Sequence, residues 1–471
     1  MRASLVNNDT ILVRGYVRDT LPPFPQTIVF ARIDTFGEVI DQENFVDPNG
    51  RTLSITPLSK ITTTQSGGYL ATGMTFQDNA QLIIRLDHHF KVDTVYEFLS
   101  NDTTVLINFS SAVYEITDGY LVFGYAQETY FDISPQVVKL STEGNILWRR
   151  RYGLDNVDEF PNDFIRYNDS TFLVGCGRGE ATDPDGPIQD WLFAVDLEGN
   201  LVDEYFDDRP YSGAIGGLDL DESGAIYFAG LESFIDMFGF RVNLGKVTKL
   251  NSDLEKQWTR LWNGGNREAT TLTGIVLDND NVFAVGMHID TFTNMDGFSR
   301  YFGAGWTVTA SVSGDSVCSR VDTSYWHEFN GPFGRFYQVH RLSGGTIIAL
   351  GEGNFASGSE TALRAWLVKM PKPPCIGITT SIDQPSNHER SIVVAPNPFS
   401  DYVDVSIPKH WRSGTLHVTS VSGKTYYTSQ LSSLDNQYRI STADFPPGVF
   451  VCTVTSSDGK NVSSAKVVKM R

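Results

Sequence analysis

Asp118-Gly119-Tyr120-Leu121-Val122-Phe123-Gly124 is the stretch that decides the fold: a polar turn containing glycine, an apolar strand, then a second glycine. The same order stands at Asn8-Asp9 before Ile11 to Gly15, and at Gly67-Gly68 before Tyr69 to Gly73. It returns at Asp169-Ser170 before Phe172 to Gly175, and at Ser223-Gly224 before Ile226 to Gly230. Asp280-Asn281 precedes Val282 to Gly286, and Gly344-Gly345 precedes Ile347 to Gly351. Successive closing glycines lie 51 to 65 residues apart. Such a drifting period suits fixed strands joined by loops of variable length. Each unit continues with a second strand, as in Leu82 to Asp87 or Trp191 to Asp196, and several then turn through Gly37, Gly144, Gly199 or Gly314 into another.

Four short strands in a unit of this length, repeated seven times without helical periodicity, predict an all-β fold: a seven-bladed β-propeller over residues 1–375. Six or eight blades, or a pair of β-sandwiches, are the rival arrangements. Composition agrees with a folded, turn-rich chain. Of 471 residues, 41% are hydrophobic and 12% aromatic, with 42 Gly and 20 Pro, too apolar for disorder. The net charge of −19 argues against a nucleic-acid partner, whose phosphates need clustered Lys and Arg. No apolar run is long enough for a transmembrane segment.

The acidity is uneven. Residues 384–471 carry 9 Lys and Arg against 6 Asp and Glu, so residues 1–383 hold a net charge of −22. Pro371-Lys372-Pro373-Pro374 and the polar run Ser381 to Arg390 mark a linker over 376–390. Residues 391–471 then form a small immunoglobulin-like β-sandwich, with strands expected at Tyr402 to Ile407, Thr415 to Val421, Gln437 to Ile440, Gly448 to Thr455 and Ser464 to Lys469. Its landmarks are Pro396-Asn397-Pro398-Phe399, Val421-Ser422-Gly423-Lys424, Pro447-Gly448-Val449-Phe450, and Lys466-Val467-Val468-Lys469.

In order and spacing these landmarks resemble the type A C-terminal sorting domain of the type IX secretion system. Ser420, Ser422 and Phe450 are mild departures from its pattern. The resemblance implies export across the outer membrane of a Bacteroidota cell, with the translocon and a sortase-like peptidase as partners. It also implies that the chain is released or becomes attached at the cell surface. The blade repeats likewise resemble those of secreted Bacteroidota propellers. Met1 to Val6 runs directly into the first blade without an apolar signal segment, so either a removed signal or a misplaced start site is expected.

Propeller topology places the long loops on one face. If strand A is innermost, the short A–B turns share one end of the ring and the B–C and D–A connections share the other. Gly177 to Asp190, Leu231 to Lys246, Met287 to Gly305 and Ser324 to Phe336 fall on the second face. From them Asp183, Asp185, Asp236, Phe238, Asp290, Tyr301 and Trp326 are candidate ligand-face residues, because loops on rigid scaffolds carry function. Packing of the loops themselves is the competing reading. A secreted binding or adhesion module for a glycan or surface protein is the expected role, and a glycan-active hydrolase or lyase using loop carboxylates is the alternative.

No catalytic residue is assigned, and no cofactor or metal is expected. Gly351-Glu352-Gly353-Asn354-Phe355-Ala356 matches a dinucleotide fingerprint in letters only, since nothing after it suits a helix. Asp219-Leu220-Asp221-Glu222-Ser223-Gly224 resembles the start of a calcium loop but lacks its later ligands, so a structural turn is expected. His88-His89 reads as a solvated turn. Among the cysteines, Cys176 and Cys452 are expected in the core. Cys318 and Cys375 are the pair that neighbouring blades would bring together, and bridge or free thiols both stay open.

Overall fold

The computed structural model describes residues 3–7, 10–18, 26–55, 59–99, 107–129, 132–155, 157–180, 186–207, 209, 211–235, 241–262, 270–293, 299–322, 334–357, 360–370, 393–395, 401–407, 414–420, 424–431, 437–457 and 462–469. Two compact units divide the chain, Met1–Thr380 and Ser381–Arg471. Every strand pairing is antiparallel, and no helix occurs among the described residues.

In the first unit the described strands form seven successive groups along the chain, hydrogen-bonded into six sheets, because the fourth and fifth groups join at Gly177 with Ala214 into one eight-stranded sheet. The fourth is typical: Val157–Arg166, Thr171–Glu180, Ile188–Asp196 and Leu201–Phe206, lettered A to D from the inside out. The seventh has three described strands, Gly334–Arg341, Ile347–Ser357 and Glu360–Met370. Strands B and C are buried on both faces, which explains why they read as unbroken apolar runs. The outer strand Leu201–Phe206 is mostly exposed and leaves Leu201, Val202 and Phe206 open to solvent beside Asp203 and Glu204.

Seven apolar cores accompany these seven strand groups among the described residues, one between each neighbouring pair. Leu12, Ile28 and Phe30 of the first sheet meet Leu82, Ile84 and Phe90 of the second. The seventh such core closes the ring: Ile11, Val13, Ala31 and Ile33 of the first sheet pack on Leu342, Ile348 and Leu350 of the last. A closed ring of radial sheets is a β-propeller. Among the described residues no strand from one end of the chain completes a sheet at the other, and the closure there is by side-chain packing.

The short turns between strands C and D follow one design. Oδ1 of Asp34, Asp87 and Asp196 each accepts two backbone N–H groups, two and four residues later. Oγ of Ser141 and Oδ1 of Asn251 do the same. The fourth residue of the turn takes positive φ, which Gly37, Gly144, Gly199 and Gly314 adopt freely and Phe90 and Leu254 adopt as exceptions. An aromatic of the preceding blade then rests on the turn. Trp148 lies where a Cβ on Gly199 would be 2.6 Å away, and Trp258 stands likewise over Gly314 at 2.8 Å.

The second unit is a β-sandwich. One sheet holds Val393–Ala395, Tyr402–Ser406 and Gln437–Ser441, and the other holds Thr425–Gln430, Gly414–Ser420, Gly448–Ser456 and Val462–Lys469. Val403, Val405, Leu416, Val418, Ile440, Phe450 and Val454 fill its core. Two of these strands were not expected from the sequence, Val393–Ala395 and Thr425–Gln430, the latter an edge strand with no fully buried residue.

Candidate functional site

One sequence expectation needs correction. The glycine that marks each repeat does not end strand B. Strand Asn281–Thr293 runs seven residues past Gly286, and Thr171–Glu180 continues past Gly175. The glycine instead faces a β-bulge in the inner strand. Register shifts fall at Ser110/Ala112, Pro161/Asp163, Ile215/Gly217, Leu272/Gly274 and Phe336/Gln338. In four blades the bulge pushes a carbonyl of strand A over the glycine: a Cβ on Gly124, Gly230, Gly286 or Gly351 would lie 1.7, 2.0, 1.9 or 1.8 Å from it. Only hydrogen fits there.

The bulges leave Ser111, Asn162, Gly216, Thr273 and Tyr337 as the extra residues. The last four line a cavity of ≈ 260 Å³ on the ring axis, together with residues just below them on the same inner strands. The second sheet contributes differently. Its inner strand is broken into Leu53–Ser54 and Thr62–Thr63, and the segment between supplies Lys60 and Ile61 to the cavity wall.

Hydrogen bonds and an ion pair around this wall tie together blades from the second to the seventh. The Lys60 backbone N–H donates to Ser111 O at 2.8 Å, and its ammonium pairs with Asp163 and reaches Phe164 O at 3.1 Å. Asn162 Nδ2 donates to Ile215 O at 2.7 Å. Asp163 accepts the backbone N–H groups of Leu218 at 2.7 Å and Phe164 at 2.9 Å. Asp219 accepts those of Leu277 at 2.8 Å and Leu220 at 2.9 Å, while burial pushes its carboxyl above the usual range. Thr273 Oγ1 donates to Phe336 O at 2.8 Å. His340, half-buried in this wall, is held down to about 4 by desolvation and by the nearby Lys60, and stays neutral at physiological pH.

A second group of ionisable residues lies where the third and fourth blades meet. Glu159 is fully buried, and its Oε1 accepts the Leu154 N–H at 3.0 Å and lies 3.4 Å from Arg178. Its Oε2 has no hydrogen-bond partner. Burial pushes this carboxyl up to about 7. Asp158 is also raised by burial, although the Ile133 N–H donates to it at 3.0 Å.

Of the candidate ligand-face residues, Asp183, Asp185, Asp236, Phe238 and Trp326 lie outside the described residues. Asp290 and Tyr301 belong to strands rather than to a loop: Asp290 pairs with Phe302 and Thr291 with Tyr301, in a hairpin that extends beyond the rest of its sheet. Aromatic and β-branched residues, read as loop cargo, here prolong the strands. In the second unit, Lys424 stacks over Tyr426 at 4.8 Å, Lys469 donates to Thr442 O, and Gly448 has φ of +153°. Lys466 pairs with Val451 in the ladder. Pro396, Asn397, Pro398 and Gly423 lie outside the described residues.

Asp221 caps its own turn through Ser223 and Ala225, and Asp219 faces the next blade, so the calcium-like run is a structural turn. Among the described residues no cluster of His, Cys, Asp and Glu is arranged for a metal. Gly351 to Ala356 sits inside strand Ile347–Ser357, and His88 and His89 stack on an exposed turn. Cys176 and Cys452 are free and buried, and Cys318 is disulfide-bonded. Cys375 lies outside the described residues. The axial wall went unnoticed in the sequence, although the closing glycines, 13 or 14 residues past each bulge, were its signal.

Residues 393–470 match the family described as a secretion system C-terminal sorting domain. No curated protein matches the chain in sequence. Among solved structures, the polysaccharide lyase Uly1 aligns at 10% identity and TM-score 0.43 over 78% of this chain and 89% of its own. The propeller domain of the Trilobed protease from Pyrococcus furiosus aligns at 8% identity and TM-score 0.41, over 79% and 96%. PorZ, a surface component of the type IX secretion system of Porphyromonas gingivalis, aligns at 9% identity and TM-score 0.19, over 100% and 81%. Likeness at these scores carries no argument about ligand or activity. The landmarks and the family match agree: the C-terminal unit is a type IX secretion sorting domain, and the chain is a secreted or cell-surface β-propeller protein that engages that machinery.

Proposed function

We propose that the exported propeller is a binding module for a glycan or surface protein, and that its axial cavity receives a saccharide end. The observation that carries this reading is the cavity itself. Its wall alternates polar groups (Lys60, Asn162, Thr273, Gln338) with apolar ones (Ile61, Leu218, Ile275, Val339) on rigid inner strands. A sugar ring presents hydroxyls at its edge and C–H groups on its faces, and ≈ 260 Å³, just below the range of about 300–1,000 Å³ usual for whole ligands, suits the end of a chain rather than a whole oligosaccharide. Asp163 and Asp219 spend their oxygens on backbone N–H groups of the ring, a positioning role rather than proton transfer. In the same proposal, the sorting unit is handed to the translocon and cut by a sortase-like peptidase.

Glycan-array screening of the full chain, followed by calorimetry, tests it. Gln338→Ala and Thr273→Val should each weaken the best ligand at least tenfold with unchanged circular dichroism. Equal binding by both variants sinks the reading. A second reading, a glycan-active hydrolase or lyase, draws on Glu159, whose raised carboxyl keeps its proton near neutrality as a general acid requires. Turnover of a polysaccharide that is lost in Glu159→Gln supports it over simple binding.

A further inference from the structure

The broken inner strand of the second sheet has a consequence away from the cavity. Its two pieces pair with strand Tyr69–Thr75 through Ser54 with Met74 and Thr62 with Leu70, so Thr72, which pairs with Ile83 on its other side, lies in the middle of the interval without a ladder partner on the inner side. Arg14, from strand Thr10–Arg18 of the first sheet, fills that interval and donates Nη1 to the Thr72 carbonyl. Its side chain is completely enclosed, at 0% exposure.

The rest of this guanidinium is unmatched. Nε and Nη2 have no hydrogen-bond partner, and no Asp or Glu among the described residues pairs with the group. Burial lowers the guanidinium to about 9, so it still carries its charge at neutral pH. Nε–H and Nη2–H are the two parallel donors along one edge of the planar fork, the edge that grips a single anion with both bonds. A charge buried without a counter-ion is among the costliest features a fold can hold. Complete enclosure limits the partner to something of atomic size, and the charge to be balanced is a single one.

We propose that Arg14 holds a chloride-sized monovalent anion between the first and second blades, on the Nε–Nη2 edge of its guanidinium. The anion neutralises the one buried cation that the interrupted strand draws inside, and it ties the two blades together. It is independent of any ligand in the axial cavity.

Crystals of the full chain soaked in sodium bromide, measured at the bromine edge, decide the point. The expected result is an anomalous peak within hydrogen-bond contact of both Nε and Nη2 of Arg14. A water, or a protein oxygen without anomalous signal, overturns the proposal. In solution, thermal unfolding should shift upward by several degrees as chloride replaces gluconate at constant ionic strength, saturating as a binding curve. Arg14→Met should abolish the chloride dependence. Should that variant not fold, the parent chain still decides: a midpoint indifferent to chloride against gluconate refutes the site.

Discussion

Gly286→Ala tests the bulge that shapes the axial wall. A Cβ at this position would stand 1.9 Å from Thr271 O, 2.7 Å from Leu272 Cα and 2.8 Å from Thr271 C. Carbon and oxygen in contact rest about 3.3 Å apart or more, so the inner strand must retreat by roughly 1.4 Å. Every atom in the way is backbone, and no rotamer change relieves the clash. Overpacking of this kind costs about 1–3 kcal/mol, and loosening one or two ladder bonds beside the bulge adds about 1 kcal/mol each. Alanine returns about 0.4–1 kcal/mol by restricting the unfolded chain. The balance is a loss of roughly 3 kcal/mol, or about 1 M in urea midpoint for an m-value near 3 kcal/mol/M. Tryptophan fluorescence should follow the transition, since Trp306 is buried in the core beside this strand. Gly344→Ala, with nothing within 4 Å and no positive φ, is the control and should shift the midpoint little. Equal midpoints for the two variants refute the bulge explanation of the repeat glycine.

Asp163→Ala leaves the Leu218 N–H without its acceptor and the Lys60 ammonium without its carboxylate, and a loss of about 3 kcal/mol is expected by urea unfolding. Asp163→Asn, which keeps an oxygen for one N–H, should lose clearly less; the reverse order contradicts the stitching role. Glu159 has a folded-state carboxyl raised from 4.5 to about 7, so the folded chain holds this proton more tightly than the unfolded one. Its contribution is therefore present below about pH 4.5 and lost as pH rises towards 7. Subtracting the stability–pH curve of Glu159→Gln from that of the parent should leave a fall over this window, and a flat difference rejects the raised carboxyl. Alkylation of the unfolded chain without reductant should modify Cys176 and Cys452 and spare Cys318; mass spectrometry showing Cys318 modified excludes the disulfide.

The ring was legible in the sequence because each blade repeats a continuous apolar run between polar turns, and two-sided burial in a propeller demands that pattern. Val122 and Phe123 carry it in the third blade, where both side chains are enclosed by adjacent blades. The C–D turns were legible for a similar reason, since Asp34, Asp87 and Asp196 cap backbone groups only two and four residues away. The axial wall was hidden because its partners are far apart in sequence. Lys60 meets Phe164 across 104 positions, and Arg14 meets Thr72 across 58. Periodicity reports local burial and carries no trace of such pairings. The extended hairpin at Asn281–Thr293 and Ser299–Ser311 was misread because aromatics at Phe292 and Tyr301 suit a sticky loop and a twisted ribbon equally well.

The bulge and its glycine change what the repeat means. A glycine that merely ended a strand would say nothing about function, whereas one that admits a neighbouring carbonyl fixes where the inner strand gains a residue. That residue, 13 or 14 positions earlier, is turned towards the axis while its neighbours keep the register of the sheet. It varies from blade to blade: Ser111, Asn162, Gly216, Thr273 and Tyr337 differ in size, polarity and hydrogen-bonding capacity, although Gly216 is itself held to glycine, since a Cβ there would lie 2.2 Å from Leu272 O. The glycines hold the scaffold constant, and four of the bulge residues, Asn162, Gly216, Thr273 and Tyr337, contribute to the lining of the cavity. Substitutions at Asn162, Thr273 and Tyr337 should then alter which ligand is bound and cost about 1 kcal/mol each for the one hydrogen bond given up, to Ile215 O, Phe336 O or Glu352, while substitutions at Gly230, Gly286 and Gly351 should cost more and reduce stability and binding together.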